Sequence, residues 1–305
     1  MSTGEQDVGS QAIALPAVPL TLEGSAVLHQ MFRFRWSQWR SQGAEVRGRI
    51  TSQAQQALAE MEGAGSALFS MFGHKGDLLF VHFRKDFEAL NQAQLALHQL
   101  DVMEYLEPAV SYVSVIELGL YESTVKLYRE LVGRGVVPHS PEWNESVEEA
   151  MKRQREAMHV RLFPAIPEGR YISFYPMDRK RGEEKNWYTL PIEERGRQMD
   201  LHGQIGRRYA GKVQQIISGS IGLDDWEWGV DLFADDPVIF KKLIYEMRFD
   251  EVSGVFSNFG AFYMGLRCAS SELATLLGGT TPKALARTQP AAPSGQPGRP
   301  GRPQA

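Results

Sequence analysis

An α+β fold assembled from two similar halves is what this sequence predicts. Two patterns lead there. Short apolar or alternating runs that read as strands flank stretches with helical spacing, and this strand–helix–strand series occurs twice. The two series lie about 150 residues apart in a chain of 305 residues, the mark of a duplicated unit. The composition agrees: 43% hydrophobic and 23% charged residues suit a globular protein with a sizeable core.

In the first half, Leu78 to Phe83 (LLFVHF) reads as a strand, Asp86 to Leu100 as a helix and Ser111 to Leu118 (SYVSVIEL) as a strand. In the second, Trp226 to Ala234 (WEWGVDLFA) reads as a strand. A helix follows over DPVIFKKLIYEMRF, with Pro237 near its start, and then a strand over Gly254 to Leu266. Each unit is expected to be an antiparallel sheet with helices on one face, in the ferredoxin-like manner. Between the halves, Ser146 to Leu162 has helical spacing and a charged, solvated face.

The expected boundaries are a flexible segment at 1–22, a first half at 23–155, a second half at 156–270 and a tail at 271–305. From Leu276 onward the chain carries Lys283, Arg287, Arg299 and Arg302 with no acid. Its Pro-, Gly- and Ala-rich end lacks the apolar residues that would offset ordering entropy, which predicts disorder. The formal charge is −4, so the body is acidic and nucleic acid is not the expected partner. One cysteine, Cys268, excludes an internal disulfide and a CxxC metal site. There is no secretory signal pattern and no run of roughly 18 apolar residues. A cytoplasmic location is the expectation.

Chemistry concentrates between Tyr171 and Tyr263. After Pro191 comes a stretch of helical spacing that carries His202, with Ile192, Met199 and Gly206 near the same face. A lone histidine there is either an ordinary packed residue or a metal ligand. Gly203 and Gly206 would let a flat ligand approach, and haem iron commonly takes one axial histidine. Tyr175 shares a strand face with Tyr171 and Ser173, opposite Ile172 and Phe174. It is either a packed rim residue or a one-electron donor; Trp187 has the same two readings. Arg161, Arg179, Lys180, Arg181, Arg207, Arg208, Lys212 and Arg248 supply cations, a few of which would suit the carboxylates of an acidic porphyrin. Gln215 is a neutral amide and lacks the fixed charge that stabilises a developing oxyanion. No dinucleotide, Walker, zincin or nucleophile-elbow motif is present, and the other six histidines show no metal-ligand spacing.

YPMDRKR, NWYTLP, HGQIGRRYAGKVQQIISGSIGLDDWEWGV and YEMRFDEVS, in that order, resemble the haem-binding half of coproheme decarboxylases, in the chlorite dismutase-like superfamily. The first half is similar to that family in SYVSVIELGLY. The resemblance implies two ferredoxin-like repeats forming a β-barrel-like core, with the ligand in the second, and a ring-shaped homopentamer. It implies peroxide-dependent decarboxylation of two propionates of iron coproporphyrin III (coproheme) to vinyl groups, giving haem b. A transient contact with the ferrochelatase that supplies coproheme is expected too. By position, His202 would ligate iron and Tyr175 would act as a catalytic radical. Arg161, Tyr121, Arg248 and Ser253 would contact propionates, and Gln215, Trp187 and Met177 would form the distal pocket. Where the family often has a catalytic lysine this chain has Arg179, followed by Lys180; either residue is a candidate for that place. The connector from Glu122 to Val160 is longer than the resemblance leads one to expect. The competing functions are a chlorite dismutase, a haem carrier or sensor, and a generic peroxidase.

Overall fold

The computed structural model describes residues 14–284. Its first half runs β1 (Thr21–Phe34), α1 (Trp36–Ser41), α2 (Ala44–Gly63), β2 (Ser66–Met71), β3 (Leu78–Arg84), α3 (Phe87–His98) and β4 (Leu106–Gly119). The helices α4 (Tyr121–Gly133), α5 (Pro141–Ala157) and α6 (His159–Leu162) lead to the second half. That half runs β5 (Tyr171–Arg179), α7 (Ile192–Arg207), β6 (Gln214–Gly219), β7 (Trp228–Ala234), α8 (Val238–Met247), α9 (Glu251–Phe256), β8 (Ser257–Phe259) and β9 (Tyr263–Cys268), with α10 (Leu273–Leu277) after it.

The series β1-α2-β2-β3-α3-β4 and β5-α7-β6-β7-α8-β9 are the same β-α-β-β-α-β order, which is the ferredoxin-like arrangement. Side by side the strands lie β4-β1-β3-β2 in one half and β9-β5-β7-β6 in the other, so the halves match in space as well as along the chain. Antiparallel pairing of β4 with β6 and of β2 with β9 joins them. Eight strands therefore close on themselves and leave no free edge in the ring. β8 pairs with the end of β5 outside it.

Alternation divides each strand between two environments. Inward residues such as Val27, Phe69, Val81, Ile116, Phe174 and Phe233 fill the barrel. Two polar side chains meet there, one from each half: His29 Nε2 lies 2.9 Å from Asp231 Oδ1, both fully buried, and the imidazole stacks on Phe174 at 4.0 Å. Outward residues of the first half pack under α1, α2 and α10. Those of the second half pack under α8, where Tyr175 and Met177 join Phe240 and Leu243.

Three expectations need correction. Residues 14–22 are not a mere lead-in: Leu22 is buried in β1, and Leu15 and Leu20 pack against Tyr128 and Trp143. Residues 271–284 do not belong to a tail, because Leu273, Leu276 and Leu277 are buried and the Trp39 indole N–H donates to the Leu277 carbonyl. Flexibility at 1–13 and disorder at 285–305 concern positions outside the described residues. Finally, Gly254 to Leu266 is not one strand. Asp250 caps α9 by accepting the Ser253 N–H, and the chain breaks again at Gly260, whose missing Cβ admits Pro176 and Trp226.

His82 is wholly buried on the outward face of β3. Arg84 donates to Ser66 Oγ, which lies 2.7 Å from His82 Nδ1. Burial, reinforced by Arg84 and His29, pushes the imidazole down to about 3. Below its ordinary value near 6.5 the unfolded chain binds a proton that the folded chain refuses, so stability falls with pH from there towards 3. Urea melts should show about 1.4 kcal/mol lost per pH unit from this group, and His82→Gln should flatten that slope between about pH 6.5 and 5.

Candidate functional site

A cavity of ≈ 820 Å³ lies on the outer face of the second-half sheet, beneath α7. That is the size of a site for a substantial organic ligand. Its walls come from both halves. β5, β6 and β7 contribute Tyr175, Met177, Gln215, Ile217 and Trp228, while Ala17 to Pro19, Glu117 and Tyr121 come from the other side. The expected division, with the ligand kept to the second half, places the site too narrowly. The barrel closes through β4 and β6, and that pairing carries Glu117 to the rim beside Ile217 and Gly219. The absent side chain of Gly219 leaves the place that the Glu117 carboxylate occupies.

On α7, Arg195, Met199 and His202 are spaced by four and three residues and share the cavity-facing side. His202 Nδ1 lies 2.9 Å from Asp250 Oδ2. Asp250 also accepts the Ser253 N–H at 2.7 Å and its hydroxyl at 3.3 Å. Burial alone would raise the Asp250 carboxyl, but these bonds outweigh it and hold it below its ordinary range. The carboxylate thus accepts a hydrogen bond from Nδ1–H and leaves the Nε2 lone pair free, as in carboxylate–histidine metal sites. Among the described residues no cluster of three or more His, Cys, Asp or Glu could hold a bare metal ion. One oriented imidazole facing a large, mainly apolar cavity fits a metal that brings its own planar ligands, and an iron porphyrin is such a group.

Tyr175 stands on the sheet wall of the cavity, 3% exposed, with Phe262 stacked on it at 4.5 Å. Burial pushes its phenol up, partly opposed by Arg248 and Arg179, so it stays protonated. Its hydroxyl has no hydrogen-bond partner among the described residues. Arg179 reaches the cavity from the same strand. It donates to Ser257 Oγ and lies over the rings of Trp187 at 5.0 Å and Trp228 at 5.8 Å. Burial lowers its pKa against the pull of Tyr121, Tyr188, Asp250 and Glu227.

The cavity also gathers Arg161, Tyr121, Ser253, Gln215 and Met177. Three expected residues stand elsewhere. Lys180 does not line it, because strand alternation turns it away from the Arg179 side; its backbone pairs with Phe256 and Trp187. Trp187 is fully buried behind Arg179, among Val252 and Phe256. Arg248 sits 3.6 Å over the Phe259 ring, and it is Phe259 that faces the cavity. Neither Gly203 nor Gly206 lines the cavity itself: a Cβ on Gly203 would meet Arg207, and one on Gly206 would touch the cavity-lining Met247. Arg181 pairs with the buried Glu227, and Arg207 and Arg208 pair with Asp200 and Glu246.

Sequence reading missed Asp250, Arg195 and Glu117. Asp250 precedes Glu-Val-Ser in the manner of a helix N-cap, and Arg195 falls seven residues before His202; both signals were available. The Glu117 placement depends on barrel closure, which no local pattern reveals.

A closed barrel of two ferredoxin-like halves, with a one-histidine cavity on its outer face, defines a class of proteins shaped to take a flat, metal-bearing ligand. The chlorite dismutase family model matches residues 47–268, and the chain belongs to that family. It is 40% identical over 257 residues to the coproheme decarboxylase of Staphylococcus saprophyticus, covering 82% of this chain and 94% of that one. It is 42% identical over 267 residues to a protein of Halobacterium salinarum named as heme-binding. That match covers 86% of this chain but spans only about half (51%) of the relative's length. Among solved structures, a heme-binding protein from Thermus thermophilus superposes with a TM-score of 0.74 at 36% identity, over 87% of this chain and 99% of the other.

Asp250→Ala should release the imidazole from a single tautomer. Nitrogen NMR of His202 in the unliganded protein should change from Nδ1–H to a mixture. Loss of the α9 cap should lower stability by about 1 kcal/mol. Asp250→Asn should restore most of the stability and little of the tautomer preference.

Proposed function

We propose that this protein is a coproheme decarboxylase, which converts two propionates of iron coproporphyrin III to vinyl groups with hydrogen peroxide as oxidant and yields haem b. The observation that carries this is the convergence on one cavity of an oriented histidine, a buried protonated tyrosine and several guanidinium groups. Membership of the family and the coproheme decarboxylase relative support it.

In this mechanism His202 holds the substrate's iron through Nε2, and Asp250 fixes that nitrogen towards it. Arg161 and Arg179 bind acidic arms by charge-assisted bonds, with Tyr121 and Ser253 as hydroxyl partners. When bound, the iron porphyrin and peroxide supply the oxidising equivalents. Tyr175 relays the first: its phenol gives up a hydrogen atom and the radical takes one from the propionate carbon held against it; the second electron leaves that carbon as carbon dioxide departs and returns to the oxidised porphyrin. Each arm as carboxylate, with one peroxide and one proton, gives a vinyl group, carbon dioxide and two waters. The protein contributes orientation and the exclusion of water. Arg179 holds its proton too firmly to pass it on, so its role is charge and position. Gln215, neutral on the sheet wall, argues against chlorite as the substrate. A homopentameric ring, action in the cytoplasm and coproheme delivery by ferrochelatase belong to the same reading. They rest on family membership; no helix among the described residues is long and apolar enough to cross a membrane.

The test is to mix the purified protein with iron coproporphyrin III, titrate with hydrogen peroxide and follow the porphyrin by mass spectrometry. Loss of two carboxyl groups in succession is expected. Tight binding with no loss would leave a haem carrier or sensor. Tyr175→Phe should bind the porphyrin as before and abolish decarboxylation; normal haem b output would remove the radical role. Arg179→Lys keeps the charge but loses the fork that meets Ser257, so binding should weaken about tenfold. An unchanged constant would mean that charge alone acts there.

A further inference from the structure

Arg195 is the one cavity-facing cation that neither motif nor cation count drew attention to. Its residue is 3% exposed, and it lines the cavity from the first turn of α7. A guanidinium has five N–H donors. Here one of them donates to the Ala17 carbonyl, while Nε is sealed from solvent without a partner. No carboxylate forms an ion pair with it among the described residues. Nearby Glu194 is already engaged by Arg197 and Gln198. An unpaired charge withdrawn from water is costly, and such groups are found paired. A cavity that presents one in the unliganded protein is built for an anion.

The position suits a particular anion. Arg195 and His202 lie seven residues apart on one helix face, about 10 Å along the axis. That is the scale separating the centre of a tetrapyrrole from the end of an acidic side arm. The surroundings sharpen the choice. Ala17, Val18 and Pro19 pass over the same end of the cavity and are held there by the Arg195–Ala17 bond. Glu117, the cavity's acid, is itself kept above its ordinary range by burial, against the bond that Trp228 donates to it and with Glu23 adding to the rise.

We propose that Arg195 binds a carboxylate arm of the tetrapyrrole and at the same time holds residues 17–19 across the cavity, so that the arm is sealed in as it is paired. The proposal rests on the cavity being a tetrapyrrole site. It does not require decarboxylation.

The test reads affinity without peroxide. Iron coproporphyrin III and its tetramethyl ester are titrated into the full-length protein and followed by their visible absorption. Arg195→Gln should raise the Kd of the tetra-acid about 10- to 100-fold, while the ester should bind wild type and variant alike. Arg195→Lys should recover part of the loss. An unchanged tetra-acid Kd in Arg195→Gln would overturn the proposal, as would an equal loss for acid and ester, which would reduce Arg195 to shaping the cavity. Should Arg195→Gln not fold, Arg195→Lys carries the test alone: a weakening confined to the acid supports the proposal, and none overturns it. Glu5 and Asp7 precede the described residues. In a Glu5→Gln, Asp7→Asn chain both constants should stay put, and tighter tetra-acid binding would make one of those acids the partner and sink the proposal. A wild-type protein that shows the acid preference yet fails to decarboxylate would end the decarboxylase reading and leave this one standing.

Discussion

The register of β5 is the constraint on which the rest of the molecule depends. This strand pairs with β7 along most of its length, with β9 over its first part and with β8 over its last. Its pairing holds the second half of the barrel together. The same alternation that buries Ile172 and Phe174 inside sends Tyr175, Met177 and Arg179 to the cavity. A slip of one residue would put a phenol and a guanidinium into the apolar interior and two apolar side chains into the site. Fold and chemistry are therefore specified by one hydrogen-bond ladder.

Opposite that wall the site is set by a helix and its neighbour's cap. Asp250 has two tasks that reinforce each other: it starts α9 and it orients His202. The carboxylate is held by the fold whether or not a ligand is present, so the imidazole does not have to be organised at the moment of binding. Arg179 is fixed in the same way, between Ser257 and two indole rings. The cations are less uniform. Arg161 lies at the surface, Arg179 is half-buried against Ser257 and two indoles, and Arg248 is absorbed by the Phe259 ring.

Much of this was legible in the sequence, for reasons of period. The strands Leu78–Arg84 and Trp228–Ala234 and the helix Val238–Met247 announce themselves by spacing, and their repetition shows the two halves. Tyr175 and His202 follow from the faces of their own elements. What failed depends on contacts between elements distant in the chain. Lys180 and Arg179 are neighbours in sequence, and only the pairing of Arg179 with Ser257 of β8 and of Lys180 with Phe256 and Trp187 decides which turns to the cavity. The fates of Trp187 and Arg248 depend on Phe256 and Phe259, which reading Gly254 to Leu266 as one strand placed wrongly. The polar pair in the barrel, His29 with Asp231, joins residues from different halves, and neither residue's neighbours foretell the other.

The two joints between the halves are unequal. β2 meets β9 over four residue pairs, while β4 meets β6 over two, Val115 with Gly219 and Ile116 with Ser218. The thinner joint borders the cavity at Glu117 and Ile217. Side chains reinforce that short seam: Tyr112 meets Ser220, Ser114 donates to Ser218, the Val113 N–H donates to Asp224 and the Trp228 indole to Glu117. The wall of the cavity on that side is therefore closed by side-chain chemistry, which single substitutions can alter, while the interior behind it is joined across the halves by the buried His29–Asp231 pair.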